Sequence, residues 1–518
     1  MSNIKTILKQ TVNMILYWGI SVSLGFVSNL VYARVLGRDV FGEFALGRTI
    51  ISFLPLVSLF GLHKGLLRQG SIALGQKNVL LYERIRNYTI SFAMIIGFSV
   101  GLLTLIGADV IAADFFKKPE LATEIRWFSF IIPVLVSSNM VMSLYQVNKK
   151  ADRGQFLYQV VYFSLLLLIF VICIPFLKSS PLIIASFLAG HIVYFILLMY
   201  YQHKMGYRFS LKIEKSEKKK IFGISLPQCF SAVFNQSTKW SDTILLGILG
   251  TSAQVGIYQI GLRISNFVSI PAAAMSTIFM PIAARLLGQQ KHEEINSLYK
   301  TLTSLVFGLG TLAFGTLFFM KSYLVELFGQ GYEDASNILI VLLVSEAIDF
   351  GVGPARQLIT ISGGGKINLV NSIIMLAINI TASCLLIPRY GILGAALANA
   401  ITNAILQIVT VIELMAFYKL SPFSKKYFLQ IALFVICIVG IYLLPVSQFF
   451  SGKFISDFIK VAVFLGVLGG LYGTVIINRK ERQKIKQMFS QRKEKKKKRF
   501  QEESGIIEKE TDIISESL

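Results

Sequence analysis

The chain has 518 residues, of which 54% are hydrophobic and 15% charged, and its mean hydropathy is +0.64. A soluble globular protein is about one-quarter charged and carries no apolar run of bilayer length. Here Tyr158–Leu177 and Leu182–Tyr201 are each long enough to cross a hydrocarbon core of about 30 Å, so a soluble multidomain chain is excluded and an integral membrane protein is indicated. The net charge of +23 carries no recognised nucleic-acid motif with it. The basic residues fall between apolar spans, where cytoplasmic retention of Lys and Arg accounts for them and no nucleic-acid partner is implied. Cys173, Cys229, Cys384 and Cys437 are far apart in apolar sequence and His63, His191, His203 and His292 are scattered, so neither disulfides nor a metal site is expected.

Apolar runs read against loop signals predict fourteen helices, at 11–35, 41–66, 87–107, 124–148, 157–177, 181–201, 221–248, 254–284, 299–320, 334–360, 368–387, 391–416, 427–446 and 455–477. The first follows Lys5 and Lys9 but lacks a small-residue cleavage site, and so reads as a retained helix. The spans must be helical because backbone amides find no water in the bilayer core, and these runs lack the alternation of a barrel strand. Basic residues concentrate in alternate loops: Lys64 to Arg86, Lys149 to Arg153, Lys204 to Lys220, Arg285 to Lys300 and Lys419 to Lys426 on one side. The opposite side carries fewer, among them Arg34, Arg38, Lys117, Lys118, Lys178, Lys321, Arg389 and Lys453. An even number of spans with both termini in the cytoplasm fits this bias. The charged tail 478–518 is basic at Arg492–Arg499 and acidic beyond; it reads as disordered, or as a tether to anionic membrane lipids.

Two segments repeat. Leu36-Gly37 followed by Phe41-Gly42 through Gly47-Arg48 is echoed by Leu249-Gly250 followed by Val255-Gly256 through Gly261 and Arg263, with Pro55 and Pro271 at similar distances. Glycine permits tight turns and close helix approach, and proline bends a spanning helix.

At these residues the chain resembles the polysaccharide transporter (O-antigen-type lipid-linked oligosaccharide flippase) branch of the multidrug/oligosaccharidyl-lipid/polysaccharide superfamily. Leu36–Arg48 is similar to that family's opening segment, Pro227–Gly261 to its mid-chain signature, and Tyr390–Ala398 (YGILGAALA) to its segment at the twelfth helix. The resemblance implies an all-α polytopic fold of two pseudo-symmetric six-helix lobes, 1–201 and 221–416, joined by the basic linker 202–220 and followed by two further helices over 417–477. It also implies alternating access to a central cavity.

Ionisable residues inside a span cost about 2.5–3.5 kcal/mol even on lenient insertion scales, so they point to function. On the seventh helix Gln228, Ser231, Asn235, Lys239 and Asp242 form one polar stripe, facing either a cavity or a structural seam, and Lys239 and Asp242 lie one turn apart as a candidate pair. Gln259, Arg263 and Asn266 share a face of the eighth helix, and Arg48 is the repeat partner of Arg263. A guanidinium matches two phosphate oxygens and stays charged, and in the related lipid II flippases cavity arginines are implicated in holding pyrophosphate; the alternative for Arg48 and Arg263 is snorkelling to an interface. Glu346, Asp349 and Arg356 cluster on one face of the tenth helix, as a proton or Na⁺ carrier, a gating ion pair or an internal neutralising pair. Asn399 and Asn403 read as helix–helix glue.

Ser362–Lys366 lacks the residues of a phosphate-binding loop, and the loops hold no catalytic set and no room for an ATP-binding domain. Energy input is thereby assigned to H⁺ or Na⁺ gradients, membrane potential or substrate supply, without a cofactor. The reading is a non-enzymatic flippase of a polyprenyl-pyrophosphate-linked oligosaccharide in the cytoplasmic membrane, partnered by a glycan polymerase or glycosyltransferases. The alternatives are a cation-coupled small-molecule or multidrug exporter of the same superfamily, or a membrane enzyme of the same glycan pathway.

Overall fold

A computed structural model of the protein describes residues 2–174, 180–445 and 453–473. The charged tail from residue 478, with its lipid-tether reading, and the loop cation Lys178 lie outside the described residues, as does the side chain of Ser231. Among the described residues the chain is helical with no strand.

In chain order the helices are α1 (Ser2–Ser58), α2 (Leu62–Gly75), α3 (Val79–Ile106), α4 (Ala108–Val110), α5 (Leu121–Ser129), α6 (Ile131–Val147), α7 (Ala151–Phe156), α8 (Tyr162–Cys173) and α9 (Ser180–Lys204). There follow α10 (Lys215–Leu249), α11 (Ser252–Ser265), α12 (Ile270–Gly288), α13 (His292–Phe319), α14 (Lys321–Glu326), α15 (Ala335–Gly351), α16 (Ala355–Ile361), α17 (Gly365–Tyr390) and α18 (Ile392–Tyr418). These belong to one compact unit, Met1–Phe423. The second unit holds α19 (Lys425–Tyr442) and α20 (Lys453–Leu471), which pack on each other with Phe434 and Phe464 edge to face at 6.5 Å.

The structure corrects several boundaries for identifiable reasons. The first two spans are not separated by a loop: α1 runs from the first into the second, turning at the single residue Gly37, whose φ of 71° and ψ of 169° suit glycine alone, and the expected second span is interrupted at residues 59–61, where Gly61 has φ 68°. The fourth span is two helices bent by 40° at Phe130, three residues before Pro133, whose ring removes a donor and crowds the carbonyl one turn back. The tenth is likewise α15 plus α16, bent by 41° at Gly353-Pro354, with Gly353 at φ 63°. Nine helices among the described residues are long and apolar enough to cross a bilayer, or eleven if each bent pair counts as one span; the first of the nine, Leu16–Gly75, contains the expected first and second spans together. The polar α10 falls short of that measure although it lies between apolar neighbours. The α10–α11 corner is held by a capping box, in which Thr251 Oγ1 accepts from Gln254 N–H at 3.2 Å and Gln254 Oε1 accepts from Thr251 N–H at 3.0 Å.

Large apolar side chains such as Leu103, Ile106, Ile196, Ile408 and Ile412 are exposed on the outer faces of their helices, which suits lipid contact. Inside, buried apolar residues form two clusters. One joins Leu46, Leu246, Val255, Tyr258, Ile338 and Ala395; the other joins Leu59, Leu62, Ile85, Met140 and Ile221. Between these clusters α1 places Arg48, Thr49 and Ser52, and α10 places Asn235, Thr238 and Lys239, on the cavity described next.

Candidate functional site

A cavity of about 790 Å³ lies between α1 of the N-terminal half and α10, α11, α12, α15, α17 and α18 of the C-terminal half. Arg48 on α1 and Arg263 on α11 both line it, with Asn235 and Lys239 on α10, Gln259 on α11, Asn266 directly after α11, Glu346 and Asp349 on α15, and Arg356 on α16. These nine candidate site residues therefore meet at one chamber, which Asn399 and Asn403 also line. Gln228 and Asp242 do not line it: Gln228 is exposed elsewhere on α10, and Asp242 is buried behind the wall.

Among the described residues neither Arg48 nor Arg263 makes an ion pair or a side-chain hydrogen bond, and Arg263 Nε is buried without a partner. Two like charges facing one low-dielectric space raise its energy, and an anion entering it would relieve that cost. Both side chains reach the same chamber between the two halves.

The acidic wall differs from the expected pairing. Lys239 lines the cavity and does not pair with Asp242. Asp242 instead accepts from Asn379 Nδ2 at 2.7 Å on Oδ1, and from Asn399 Nδ2 at 2.6 Å and the Tyr258 hydroxyl at 3.2 Å on Oδ2. Four helices, α10, α11, α17 and α18, are pinned at this carboxylate. A buried charge is tolerated only when so surrounded by donors. Asp349 and Arg356 do not pair either: Asp349 accepts from Gln407 Nε2, while Arg356 Nη2 donates to Asn235 Oδ1 at 2.7 Å. Glu346 faces the chamber and makes no side-chain hydrogen bond among the described residues. Asn399 and Asn403 do join helices, through Ser345 Oγ donating to Asn399 Oδ1 at 3.0 Å and Asn403 Nδ2 donating to the Ser345 carbonyl at 2.9 Å.

Sequence reasoning missed Asn29, Ser345, Asn379 and Gln407, all of which line the chamber. The amides at 399, 403 and 407 follow a four-residue spacing on α18, a stripe that periodicity alone makes visible. Asn379 is visible only through its partner on another helix.

The halves touch at both ends of the chamber. At one end Arg34 Nε donates to the Leu327 carbonyl at 2.6 Å, Lys118 Nζ donates to the Gly247 carbonyl at 2.7 Å, and the Tyr332 hydroxyl donates to the Ala33 carbonyl at 3.2 Å. At the other end, α2 meets the start of α10 so closely that a Cβ on Gly61 would stand 2.0 Å from the Ser225 carbonyl oxygen.

Spanning helices around a buried polar chamber, pinned by residues from both halves, define a polytopic membrane protein with a transporter's architecture. Residues 7–287 match the family described as polysaccharide biosynthesis protein, and residues 227–385 match MatE. The chain is 23% identical over 189 residues to the probable low-salt glycan biosynthesis flippase Agl15 of Haloferax volcanii, a match that covers 36% of this chain and 39% of that protein. It is 21% identical over 505 residues to the stage V sporulation protein B of Bacillus subtilis, covering 91% of this chain and 95% of that one. Its fold superposes on the lipid II flippase MurJ in an inward closed conformation with a TM-score of 0.72, at 16% identity, over 89% of this chain and 99% of that one. The chain belongs to the polysaccharide biosynthesis protein family, within the multidrug/oligosaccharidyl-lipid/polysaccharide superfamily.

Proposed function

We propose that the protein is a flippase that carries a polyprenyl-pyrophosphate-linked oligosaccharide across the cytoplasmic membrane by alternating access between the lobes 1–201 and 221–416. The observation that carries this reading is the unpaired Arg48 and Arg263 on one chamber between the two halves. Their guanidinium groups would bind the pyrophosphate, Lys239 would add charge, and Asn235, Gln259 and Asn266 would bond to the first sugars. The prenyl chain would stay in lipid, where the outer faces are apolar. Asp242 with its amide shell, Glu346, Asp349 and Arg356 are the groups we assign to coupling or gating, with H⁺, Na⁺ or the membrane potential as the driving force. Both termini would lie in the cytoplasm, and a polymerase or glycosyltransferases would act on either side of the step.

The test is leaflet exposure of the glycolipid in cells carrying an Arg48→Ala, Arg263→Ala double variant. Accumulation of lipid-linked repeats on the inner leaflet is expected; normal translocation would overturn the site assignment. A second reading, a cation-coupled exporter, draws on Glu346 and Asp349 at the same chamber. Efflux of a cationic dye that depends on Asp242 or Asp349 would favour it.

A further inference from the structure

A second chamber of about 340 Å³ is lined mostly by the N-terminal half, with Gln236 and Trp240 of α10 at its edge, and shares Asn29, Arg48, Ser52 and Trp240 with the central one. Its chemistry is different. Among the described residues no carboxylate lines it, and Arg48, at the shared lip, is its single formal charge. Aliphatic residues such as Ile51, Leu59 and Leu135 line part of it, and the rest carries rings, amides and hydroxyls: Tyr158 and Tyr162 stack in parallel with centroids 5.8 Å apart, and Tyr32, Phe128 and Phe187 form another wall.

One part of the lining is locked. His191 Nδ1 lies 2.9 Å from the Phe187 carbonyl and so carries the proton there, which leaves Nε2 to accept from the Tyr162 hydroxyl at 3.0 Å. Other polar atoms are left over. Tyr32 is 1% exposed and Ser28 5%; their hydroxyls lie one turn apart on α1 within reach of each other, and among the described residues neither meets any further hydrogen-bond partner. A buried hydroxyl without a partner is costly and is a site waiting for one. A prenyl chain in this space would leave these hydroxyls without a polar ligand, and a free cation would find no carboxylate among the described lining residues. It suits a neutral ring with hydroxyl or acetamido groups at its edge and an apolar face for stacking. The volume is at the small end of the roughly 300–1,000 Å³ of ligand pockets.

We propose that this chamber is a neutral-sugar subsite: with the pyrophosphate held between Arg48 and Arg263, a pyranose of the headgroup enters from the shared lip, stacks on the Tyr158 and Tyr162 rings and bonds to Ser28 and Tyr32. The proposal rests on the flippase reading above, and assigns the N-terminal half a role in selecting the glycan that the charged chamber does not have.

The test uses the purified full chain in detergent with two probes, farnesyl diphosphate and farnesyl diphosphate bearing one N-acetylglucosamine. The wild type should bind the sugar-bearing probe more tightly. A Ser28→Ala, Tyr32→Phe double variant removes two donors without changing shape, and should weaken that probe about tenfold while leaving the sugar-free one unchanged. Tyr158→Ala should do the same by removing the stacking platform. Equal affinity of the wild type for both probes, or sugar-bearing affinity indifferent to both variants, would overturn the subsite. Arg48→Ala with Arg263→Ala should weaken both probes. If neither probe binds, or binding ignores the arginines, the flippase reading fails first and the subsite falls with it.

Discussion

Gly42 and Gly256, the matching glycines of the internal repeat, press against each other where α1 crosses α11. A Cβ on Gly256 would stand 2.6 Å from the Arg38 carbonyl oxygen and 3.2 Å from Gly42 N, and a Cβ on Gly42 would stand 1.7 Å from the Ser252 carbonyl oxygen. The repeat thus meets itself at the seam between the halves, and close backbone approach is what its glycines permit.

Gly42→Ala is therefore expected to part α1 from α11 and to lengthen the contacts Arg34–Leu327 and Lys118–Gly247 at the same end. Overpacking of a tight contact costs about 1–3 kcal/mol. Spin labels at exposed positions beside residues 34 and 327 should report a longer distance in the variant than in the wild type; an unchanged distance would show that the seam absorbs the methyl group.

Replacing Arg48 and Arg263 by lysine keeps the charge and removes the planar fork. Binding of farnesyl diphosphate should weaken by about tenfold for each replacement, less than for alanine, since hydrogen bonds to charged groups contribute about 1.5–3 kcal/mol. Lysine variants that bind as tightly as the wild type would show that charge, not geometry, governs binding.

Asp242→Asn should destabilise the fold. The Asp242 carboxylate accepts from Asn379, Asn399 and Tyr258, and an amide in its place turns one acceptor into a donor that faces donors. An unsatisfied buried group costs about 1–3 kcal/mol. Thermal unfolding in detergent should occur at a lower temperature, and unchanged stability would mean that the four helices do not depend on this carboxylate.

Arg86 joins α3 to the turn after α9. Its Nη1 donates to the Met205 carbonyl at 3.0 Å, its Nη2 to the Gly206 carbonyl at 2.5 Å and its Nε to Asn87 Oδ1 at 3.1 Å, and the residue is 5% exposed. Arg86→Ala should lower thermal stability by about 2–4 kcal/mol, through the lost charge-assisted bonds and the carbonyls left bare. Probe affinity at the central chamber, which Arg86 does not line, should stay unchanged.

The sequence by itself determined the membrane class, the helical periodicity, the repeat and the polar stripes on α10 and α11. Each of these is a property of one segment: an apolar run must be a helix in lipid, and a stripe is visible at 100° per residue. Tertiary structure alone decided the pairings. Lys239 and Asp242 are one turn apart on one helix, yet Asp242 turns to amides on α17 and α18 and Lys239 to the chamber, because side chains 137 and 157 residues away arrive with better donors. The breaks at Gly37 and Gly353-Pro354 follow local backbone limits, but the N-terminal chamber does not. Tyr32, Tyr158, Tyr162 and His191 look like ordinary core residues one by one, and only the packing of α1 against the helices from Ala151 to Lys204 brings their rings and free hydroxyls around one space.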